Sequence, residues 1–323
     1  MASAFARKRR RMGREHHLPR DARIRKAGDR RQARVPASLR LRCRKVGLGR
    51  AAAIVGIDVG EDFLDLAIIA RGSLRLSRIA LAGLGAPRAI ASLAARLAEA
   101  APELSRGAIA LVDSPRAPLD ADSSSIPMKP RRPAPSGRVI DGGLRHLFAR
   151  LGRHRLSMYP TPGVEYFVRC LRARGLKAHL EALGRELLGR FHQISSATMG
   201  HSTINSGGAL FTRFMIVGFA VHVALGMLGV RAFESFPDME FRLWSGDVRL
   251  APKTRRREAL AVRRRICSRL ARIAGIFPAR APLTLDEADA AVLALTAAAA
   301  AKSGLLVALG NPAEGRFLVA LPR

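Results

Sequence analysis

The chain has 323 residues, 48% of them hydrophobic, so it is long enough to bury a complete core in one or two domains. It carries 56 Lys and Arg against 25 Asp and Glu, a formal charge of +31, which favours a polyanionic partner and does not restrict the fold. Aromatic residues make up only 5% of the chain, which excludes an extensive base-stacking platform.

Three cysteines stand far apart, at Cys43, Cys170 and Cys267, without a Cys-x-x-Cys pair. An odd number at this spacing argues for a reducing compartment and against both a disulfide framework and a thiolate zinc site. The longest apolar run, residues 215–230, is short for a membrane span of about 20 residues. No apolar segment follows the basic N-terminus as in a secretory signal. These features predict a cytoplasmic protein that does not enter a membrane.

The first 50 residues contain 18 of the Lys and Arg residues and only three acidic ones. They show no helical or strand period, and a chain of this composition cannot offset the entropy that ordering costs. We therefore predict a disordered basic tail over residues 1–50 and a folded domain over 51–323. The tail is an arm that binds nucleic acid through charge, a transit peptide, or an extension without a role.

The apolar periodicity of the remaining chain predicts strands and helices of one α/β domain. Three short strands come first, then a helix and a further strand, an order that predicts a mixed sheet. A proline-rich loop, a largely helical stretch and a polar loop form an insertion at about residues 114–210. In chain order, the predicted strands are 54–59, 63–70, 74–80, 107–113, 230–236 and 315–321. The predicted helices are 87–101, 211–228, 255–274 and 285–301, and the stretch 144–188 is predicted to be largely helical with an interruption at 159–163.

Three carboxylates lie within apolar strands or at their ends. Asp58 stands inside IVGIDVG, Asp113 ends GAIALVDSP, and Glu234 ends the strand in VRAFESFP. A carboxylate in such a place is costly unless it is paired or bound to a metal. The alternative for Asp113 is an Asx-turn, and the alternative for Glu234 is a pair with an arginine.

Two more carboxylates, Asp286 and Asp289, open the last helix and lie three residues apart on one face. Asp286 also suits the first turn of a helix that Thr284 and Glu287 would cap. Asp289 is harder to explain as a surface residue, because apolar residues share its face. Together with the strand carboxylates, these residues supply hard oxygen ligands for Mg²⁺ or Mn²⁺, and two such ions about 4 Å apart can catalyse phosphodiester hydrolysis.

The order of these motifs resembles known proteins. A strand-turn-strand that carries Asp58, a later carboxylate on a central strand, and a final helix with acidic residues three apart are similar to the RNase H-like fold and to RuvC-type resolvases. The closer resemblance is to the family called domain of unknown function 429, described as predicted RNase H-like nucleases, and it runs in order from residue 54 to the C-terminus. The segments that carry it are IVGIDVG, ALVDSP, RHLFARLGRHRLSMYPTP, VRAFESFPDMEF, APKTRRREALAVRRRI, DEADAAVLALTA and EGRFLVALP.

The resemblance implies an RNase H-like mixed sheet flanked by helices. It also implies a catalytic site formed by Asp58, Asp113, Glu234 and Asp289, with Asp286 as a fifth candidate. We therefore expect a metal-dependent nuclease that uses Mg²⁺ or Mn²⁺, and we expect its metal ligands to be Asp58, Asp113, Asp286 and Asp289.

Basic residues in the family-like segment APKTRRREALAVRRRI are candidates for contact with the nucleic acid backbone. Lys253 precedes a predicted helix, and Arg255, Arg256 and Arg257 open it. We place this triplet, and the later one at 263–265, on the polar side of the helix. These residues either hold phosphates or form a solvated face.

Two other functions are compatible with these patterns. An actin-like or sugar-kinase-like ATPase also opens with an Asp-Gly hairpin, although no second glycine-rich phosphate loop stands beside Asp113. A catalytically inactive nuclease scaffold that binds nucleic acid through its charge is the other alternative. For a nuclease and for an inactive scaffold alike, the predicted partner is DNA or RNA.

Overall fold

The structure, a computed structural model, describes residues 44–45, 47–48, 51–116, 176–192, 209–246, 248–311 and 315–322. All of them belong to one compact unit, Leu41–Arg323. Most of the insertion predicted at 114–210, and nearly all of the predicted tail, therefore lie outside the described residues.

Nine strands of the described residues form one mixed sheet: β1 (Arg44–Lys45), β2 (Ile54–Val59), β3 (Phe63–Ala70), β4 (Ser73–Ala80), β5 (Ile109–Val112), β6 (Arg231–Glu234), β7 (Phe277–Pro278), β8 (Gly304–Asn311) and β9 (Gly315–Pro322). Their order is β1-β8-β9-β6-β5-β2-β3-β4-β7. β2, β5 and β6 at the centre are parallel, and the apolar sequences of β2 and β5 fit strands that are covered on both faces. β3 is antiparallel to its neighbours β2 and β4.

Six α-helices of the described chain cover the sheet: α1 (Ala89–Ala100), α2 (Ala178–His192), α3 (Ala209–Met227), α4 (Pro237–Trp244), α5 (Arg256–Ala274) and α6 (Leu285–Ser303). Apolar residues of α4, α5 and α6 pack with one face, here called the α6 face, and those of α1, α2 and α3 pack with the other, the α3 face. The predicted α/β class, with a mixed sheet flanked by helices, is confirmed. Among these six helices, none has the length and apolar character needed to cross a membrane.

Gly56 sets the contact between β2 and α6. A Cβ at this position would lie 2.1 Å from the Ala290 carbonyl oxygen and 2.9 Å from the Ala294 amide nitrogen. Only glycine therefore lets the helix backbone approach the strand this closely. As a result, the helix that carries Asp289 is pressed directly onto the strand that carries Asp58.

The first turn of α6 is fixed by a capping box. Thr284 Oγ1 accepts the amide of Glu287 (3.0 Å), and the Glu287 carboxylate accepts the amide of Leu283 and pairs with Arg280, both at 2.6 Å. Chiefly through the Arg280 hydrogen bond, these contacts lower the pKa of Glu287 to about 2. The cap thereby fixes the start of the helix from which Asp289 projects.

The structure corrects the predicted boundary of the tail. Arg44 and Lys45 pair with residues of β8, and Arg231 donates to the Gly47 carbonyl oxygen (3.4 Å). The chain therefore joins the sheet at residue 44 and not at 51. β8 itself is absent from the predicted strands, although Ser303-Gly304 marks the end of α6 and an apolar run follows it.

Candidate active site

Asp58 and Asp113 are brought together by two parallel neighbouring strands. Ile57 of β2 is in register with Val112 of β5, and the two aspartates are the next residues along the chain. The Asp113 amide donates to the Ile57 carbonyl oxygen (2.9 Å), which extends the pairing by one residue. Because Ile57 belongs to the core of the α3 face, Asp58 lies on the α6 face. The two carboxyl groups are partly buried and share a hydrogen bond.

α6 adds a third carboxylate, Asp289, whose side chain is only 1% exposed. The contact between Gly56 and Ala290 places this residue over the end of β2. Asp289 acts electrostatically on both Asp58 and Asp113, so three separate elements contribute carboxyl groups to one cluster. We call Asp58, Asp113 and Asp289 the aspartate cluster.

Two cations neutralise Asp289. Lys253 Nζ forms an ion pair with Asp289 Oδ2, and Arg263 Nε lies 3.5 Å from Oδ1. The Lys253 side chain is 53% exposed, whereas the Arg263 side chain is 2% exposed. Within the described part of the chain, neither Asp289 Oδ1 nor Arg263 Nε has a hydrogen-bond partner, so Asp289 Oδ1 and Arg263 attract each other through charge alone.

Arg263 lies beneath the cluster and is held by several groups. Its Nη1 donates to the Ala251 carbonyl oxygen (3.3 Å), and its Nη2 lies 3.8 Å from Asp238 Oδ1. The guanidinium carbon is 5.1 Å from the centroid of the Phe241 ring. The prediction that 263–265 lie on the polar side of the helix is therefore wrong for Arg263, which belongs to the buried stripe of α5.

Burial and mutual repulsion raise the pKa values of the cluster. The pKa of Asp58 lies well above its usual range, first because of burial and then because of the charges on Asp289 and Asp113. Burial, followed by the charge on Asp289, raises the pKa of Asp113 to about 7 although Lys253 opposes this shift. Burial also raises the pKa of Asp289 in spite of Lys253 and Arg263. The cluster therefore holds a proton at neutral pH, and its members titrate together.

Burial alone would lower the pKa of Lys253, but the Asp289 carboxylate outweighs it, with further contributions from Asp58 and Asp113. The net shift is upward. Lys253 is therefore a protonated ammonium throughout the neutral range and acts as an internal counter-ion of the cluster.

Asp286 lies at the rim of the cluster and not within it. Its side chain is 62% exposed, and its Oδ2 lies 3.9 Å from Arg78 Nη2. Arg78 also donates two hydrogen bonds of 2.9 Å to Asp65, which is opposite Asp58 in the pairing of β2 with β3. Asp286 adds negative charge near Asp58 and Asp289 but has its own cation in Arg78.

Glu234 lies on the opposite face of the sheet from the aspartate cluster. Its partner in register, Val112, belongs to the core of the α3 face, and paired residues of neighbouring strands point to the same side. Glu234 is 2% exposed, and its Oε1 accepts the amide of Arg116 (2.8 Å). This contact holds the segment that follows Asp113.

The turn after Asp58 is held by charged residues before and within the α3-face helices. Lys177 pairs with Glu61 (3.3 Å) and with Asp62, and Arg213 of α3 pairs with Glu61 (3.3 Å). His179 of α2 donates from Nε2 to the Glu61 carbonyl oxygen (2.9 Å). These contacts tie the turn that follows Asp58 to the helical layer.

Of the basic residues predicted to contact nucleic acid, Lys253 lies beside the cluster. Lys253 touches Asp289, and Arg255, Arg256 and Arg257 follow it at the exposed start of α5. Arg255 pairs with Glu258 at 3.5 Å, both side chains being largely exposed. Lys253 thus contacts a buried carboxylate, and the exposed positive charges of the three arginines follow it closely in the sequence.

The chemistry of the donors suits Mg²⁺ or Mn²⁺, because carboxylate oxygens are the ligands these ions prefer and Asp289 Oδ1 is buried without a hydrogen bond. The carboxylates of the cluster do not converge into a complete set of metal ligands. Among the residues that the structure describes, no three His, Cys, Asp or Glu side chains converge closely enough to hold a metal ion. A metal at the cluster would have to replace the ammonium of Lys253 and the shared proton.

Asp65 and Asp238, near the cluster, were not predicted from the sequence, and Arg263 was placed on the wrong face; Asp65 and Arg263 nevertheless carried a signal. Asp65 stands in the apolar strand FLDLAIIA, just as Asp58 does in IVGIDVG. Arg263 lies three residues before the buried Ile266, so the helical period places it on the apolar face. Asp238 carries no local signal, since its relation to Arg263 depends on the packing of two helices.

Comparisons with protein-family models, curated proteins and solved structures found no match for this chain. The interpretation of the site therefore rests on its own residues and on the order of the sequence motifs.

Proposed function

We propose that the chain is a metal-dependent nuclease of RNase H-like fold, which hydrolyses phosphodiester bonds of nucleic acid with Mg²⁺ or Mn²⁺. The observation that carries this proposal is the aspartate cluster, in which three elements contribute carboxyl groups whose pKa values are raised by burial and repulsion. Such a cluster destabilises a fold unless protons or cations offset it. Strongly perturbed carboxyl groups at one end of a sheet are typical of a functional site.

The architecture supports the RNase H-like assignment in two ways. β2, β3 and β4 form an antiparallel meander, and β5 and β6 extend the sheet in parallel from β2. Asp58 lies on the first strand of the meander, Asp113 follows the neighbouring central strand, and Asp289 comes from a late helix. For these three residues this is the placement that the family resemblance implies, whereas Glu234, the fourth residue it implies, lies on the opposite face of the sheet.

Asp58, Asp113 and Asp289 would hold the metal, with Asp286 at the rim. When bound, Mg²⁺ or Mn²⁺ supplies Lewis-acid stabilisation of the phosphate and lowers the pKa of a bound water. Asp113 exchanges its proton near pH 7, whereas the pKa of Asp58 is raised well above its usual range, so a bound metal ion would have to displace a proton from the cluster. Glu234 is left out of this set and supports the segment after Asp113.

Lys253 has two roles in this proposal. In the protein alone its ammonium neutralises Asp289. When nucleic acid binds, the same half-exposed side chain is free to turn towards a backbone phosphate. Arg255, Arg256 and Arg257 add positive charge beside it, which gives binding that is independent of sequence and weakens with salt.

The proposal is tested with labelled DNA and RNA, single-stranded and duplex, incubated with Mg²⁺, Mn²⁺ or EDTA. The wild-type protein is expected to cleave at least one of them with metal and none in EDTA. Asp58→Asn and Asp113→Asn should each lower the cleavage rate by about 100-fold or more, because each removes a charged ligand from the cluster. Glu99→Gln, which changes an exposed carboxylate of α1 on the other side of the sheet, is the matched control and should retain the rate.

The inactive nucleic-acid-binding scaffold is the second candidate, and one observation favours it. Lys253 already forms an ion pair with Asp289, and among the described residues no group of side chains converges closely enough to bind a metal ion. In that case the protein binds nucleic acid with strong salt dependence, cleaves nothing with either metal, and binds as well after Asp58→Asn. Turnover of ATP without cleavage would favour the ATPase alternative instead.

A further inference from the structure

Phe63 is a large aromatic residue that stays 45% exposed at the edge of the sheet where the aspartate cluster lies. It opens β3, and Asp65, two residues further, is opposite Asp58. Ala67 and Ile69 belong to the core of the α6 face, so the alternation of side chains places Phe63 on the same face as Asp58. Two residues of a strand span about 7 Å, so the ring lies near the cluster.

Arg78 lies against this ring. Its guanidinium carbon is 5.3 Å from the ring centroid, within the range of a cation–π contact. The Nε and Nη2 atoms of Arg78 each donate to Asp65 at 2.9 Å, and Asp286 lies 3.9 Å from Nη2. Since Asp65 is only 4% exposed, the guanidinium plane is anchored to a buried group of the sheet. Phe63 and Arg78 are called the stacking pair below.

We propose that the stacking pair binds an unpaired nucleobase, so that the substrate of the site is single-stranded nucleic acid. This inference rests on the proposed function, whose substrate form it specifies. Bases stack on aromatic rings and on guanidinium planes, and this contact tolerates any base because every base has a π-face. In a duplex, neighbouring bases cover these faces, so a base must be unpaired and unstacked to reach the pair.

The charges around the stacking pair favour this occupant over an apolar partner. Glu61 and Asp62 stand directly before Phe63, and Arg78 stands over it, so the exposed ring is not part of an apolar patch. Arg78 neutralises the carboxylates of Asp65 and Asp286 close to the ring. Lys253, which contacts Asp289 of the cluster, and the exposed arginines that follow it in the sequence can bind phosphates of the same strand.

The test measures binding of single-stranded oligonucleotides that contain 2-aminopurine, whose fluorescence falls when it stacks, in EDTA so that cleavage does not interfere. Wild-type protein should bind and quench. Phe63→Leu keeps an apolar side chain but loses the ring, so it should bind about five- to hundredfold more weakly and quench little. Phe63→Trp should bind at least as tightly as the wild type.

Phe277→Leu is the matched control. Phe277 is 80% exposed, more than Phe63. It pairs with Ser73, at the first residue of β4, whereas Phe63 pairs with Ala80, at the last residue of β4. The two phenylalanines therefore lie at opposite ends of that strand. Its replacement should leave affinity and quenching at their wild-type values. DNA and RNA strands tested in parallel show which sugar the site accepts.

Unchanged affinity and quenching in Phe63→Leu would overturn the inference, as would an equal loss of affinity for duplex and single strands. Thermal unfolding checks that Phe63→Leu is folded. If Phe63→Leu is unfolded, the test uses the folded Phe63→Trp variant, and binding weaker than that of the wild type would then overturn the inference. The two proposals fail separately. Metal-dependent cleavage with no effect of Phe63→Leu removes the stacking site alone, whereas stacking in EDTA without cleavage in Mg²⁺ or Mn²⁺ removes the nuclease activity alone.

Discussion

Replacing Asp113 by asparagine is expected to stabilise the metal-free protein at pH 8. Burial, followed by the charge on Asp289, raises the pKa of Asp113 to about 7. Asparagine keeps the shape and an oxygen acceptor but cannot ionise, so it removes the free-energy cost of a buried charge. The same reasoning predicts no gain at pH 4, where Asp113 of the folded protein is protonated.

The size of the effect follows from the linkage between protonation and stability. Unfolded Asp113 releases its proton near pH 3.8 and folded Asp113 near pH 7, so between these values the folded state binds more protons and stability falls as pH rises. A shift of about three pKa units corresponds to roughly 4 kcal/mol for a group that titrates alone. Because Asp58 shares the proton, we expect Asp113→Asn to gain about 2–4 kcal/mol at pH 8.

Asp289→Asn is expected to have the opposite effect. If only the repulsion between Asp289 and the other aspartates mattered, this variant too would be as stable as the wild type or more stable. Asp289 also neutralises the positive charge of Arg263, which is buried and lies 3.5 Å away. Removing one partner of a buried charge pair costs about 3–5 kcal/mol, because the other charge is left uncompensated. Replacing Arg263 by methionine in the same variant removes that charge and should recover part of the loss.

Urea unfolding in EDTA at pH 4, 6 and 8 measures these free energies for the wild type and the variants. Addition of Mg²⁺ or Mn²⁺ at pH 8 should then stabilise the wild type in proportion to the logarithm of the metal concentration above the dissociation constant, and Asp113→Asn much less. If Asp113→Asn lost as much stability at pH 8 as Asp289→Asn, Asp113 would be a structural carboxylate and the electrostatic reasoning would be refuted.

Two further predictions concern the elements that position the cluster. Gly56→Ala should lower the free energy of unfolding by about 1–3 kcal/mol or more, since its Cβ would lie 2.1 Å from the Ala290 carbonyl oxygen. The same clash would push Asp289 away from β2 and lower any cleavage rate. Urea unfolding that shows the stability of the wild type would contradict this. Glu287→Gln should cost about 1 kcal/mol at pH 7. Because the pKa of Glu287 is lowered to about 2, this difference between wild type and variant should vanish as pH falls from 4.5 to 2, which thermal unfolding can follow.

Much of the cluster could be predicted from the sequence because a carboxylate is conspicuous among apolar residues. Asp58 and Asp113 interrupt or end strands that are otherwise fully apolar, and Asp289 faces the core side of a helix. Burying such groups without compensation is costly, so each position demanded a partner. The elements that place them were also predictable, since β2 and β3 are short apolar runs and α6 is a long run rich in alanine and leucine.

Glu234 shows what a one-dimensional pattern lacks. It meets the same criterion as Asp113, since both stand at the end of a short apolar strand. In a strand of period two, however, a shift of one residue moves a side chain to the other face. The register of β6 with β5 places Phe233 on the α6 face and Glu234 on the α3 face, and this register depends on contacts across the sheet.

The charges of the site point to function and not to stability. Asp58, Asp113 and Asp289 can carry three negative charges, and Lys253 and Arg263 bring two positive ones. Protons on Asp58 and Asp113 offset part of this negative charge, because burial and repulsion raise the pKa of Asp58 well above its usual range and that of Asp113 to about 7. Well-packed apolar residues often stabilise a fold as much as or more than a buried charge network. A cluster balanced by an exchangeable proton and a half-exposed ammonium is instead suited to release both when a metal ion and a polyanion arrive together.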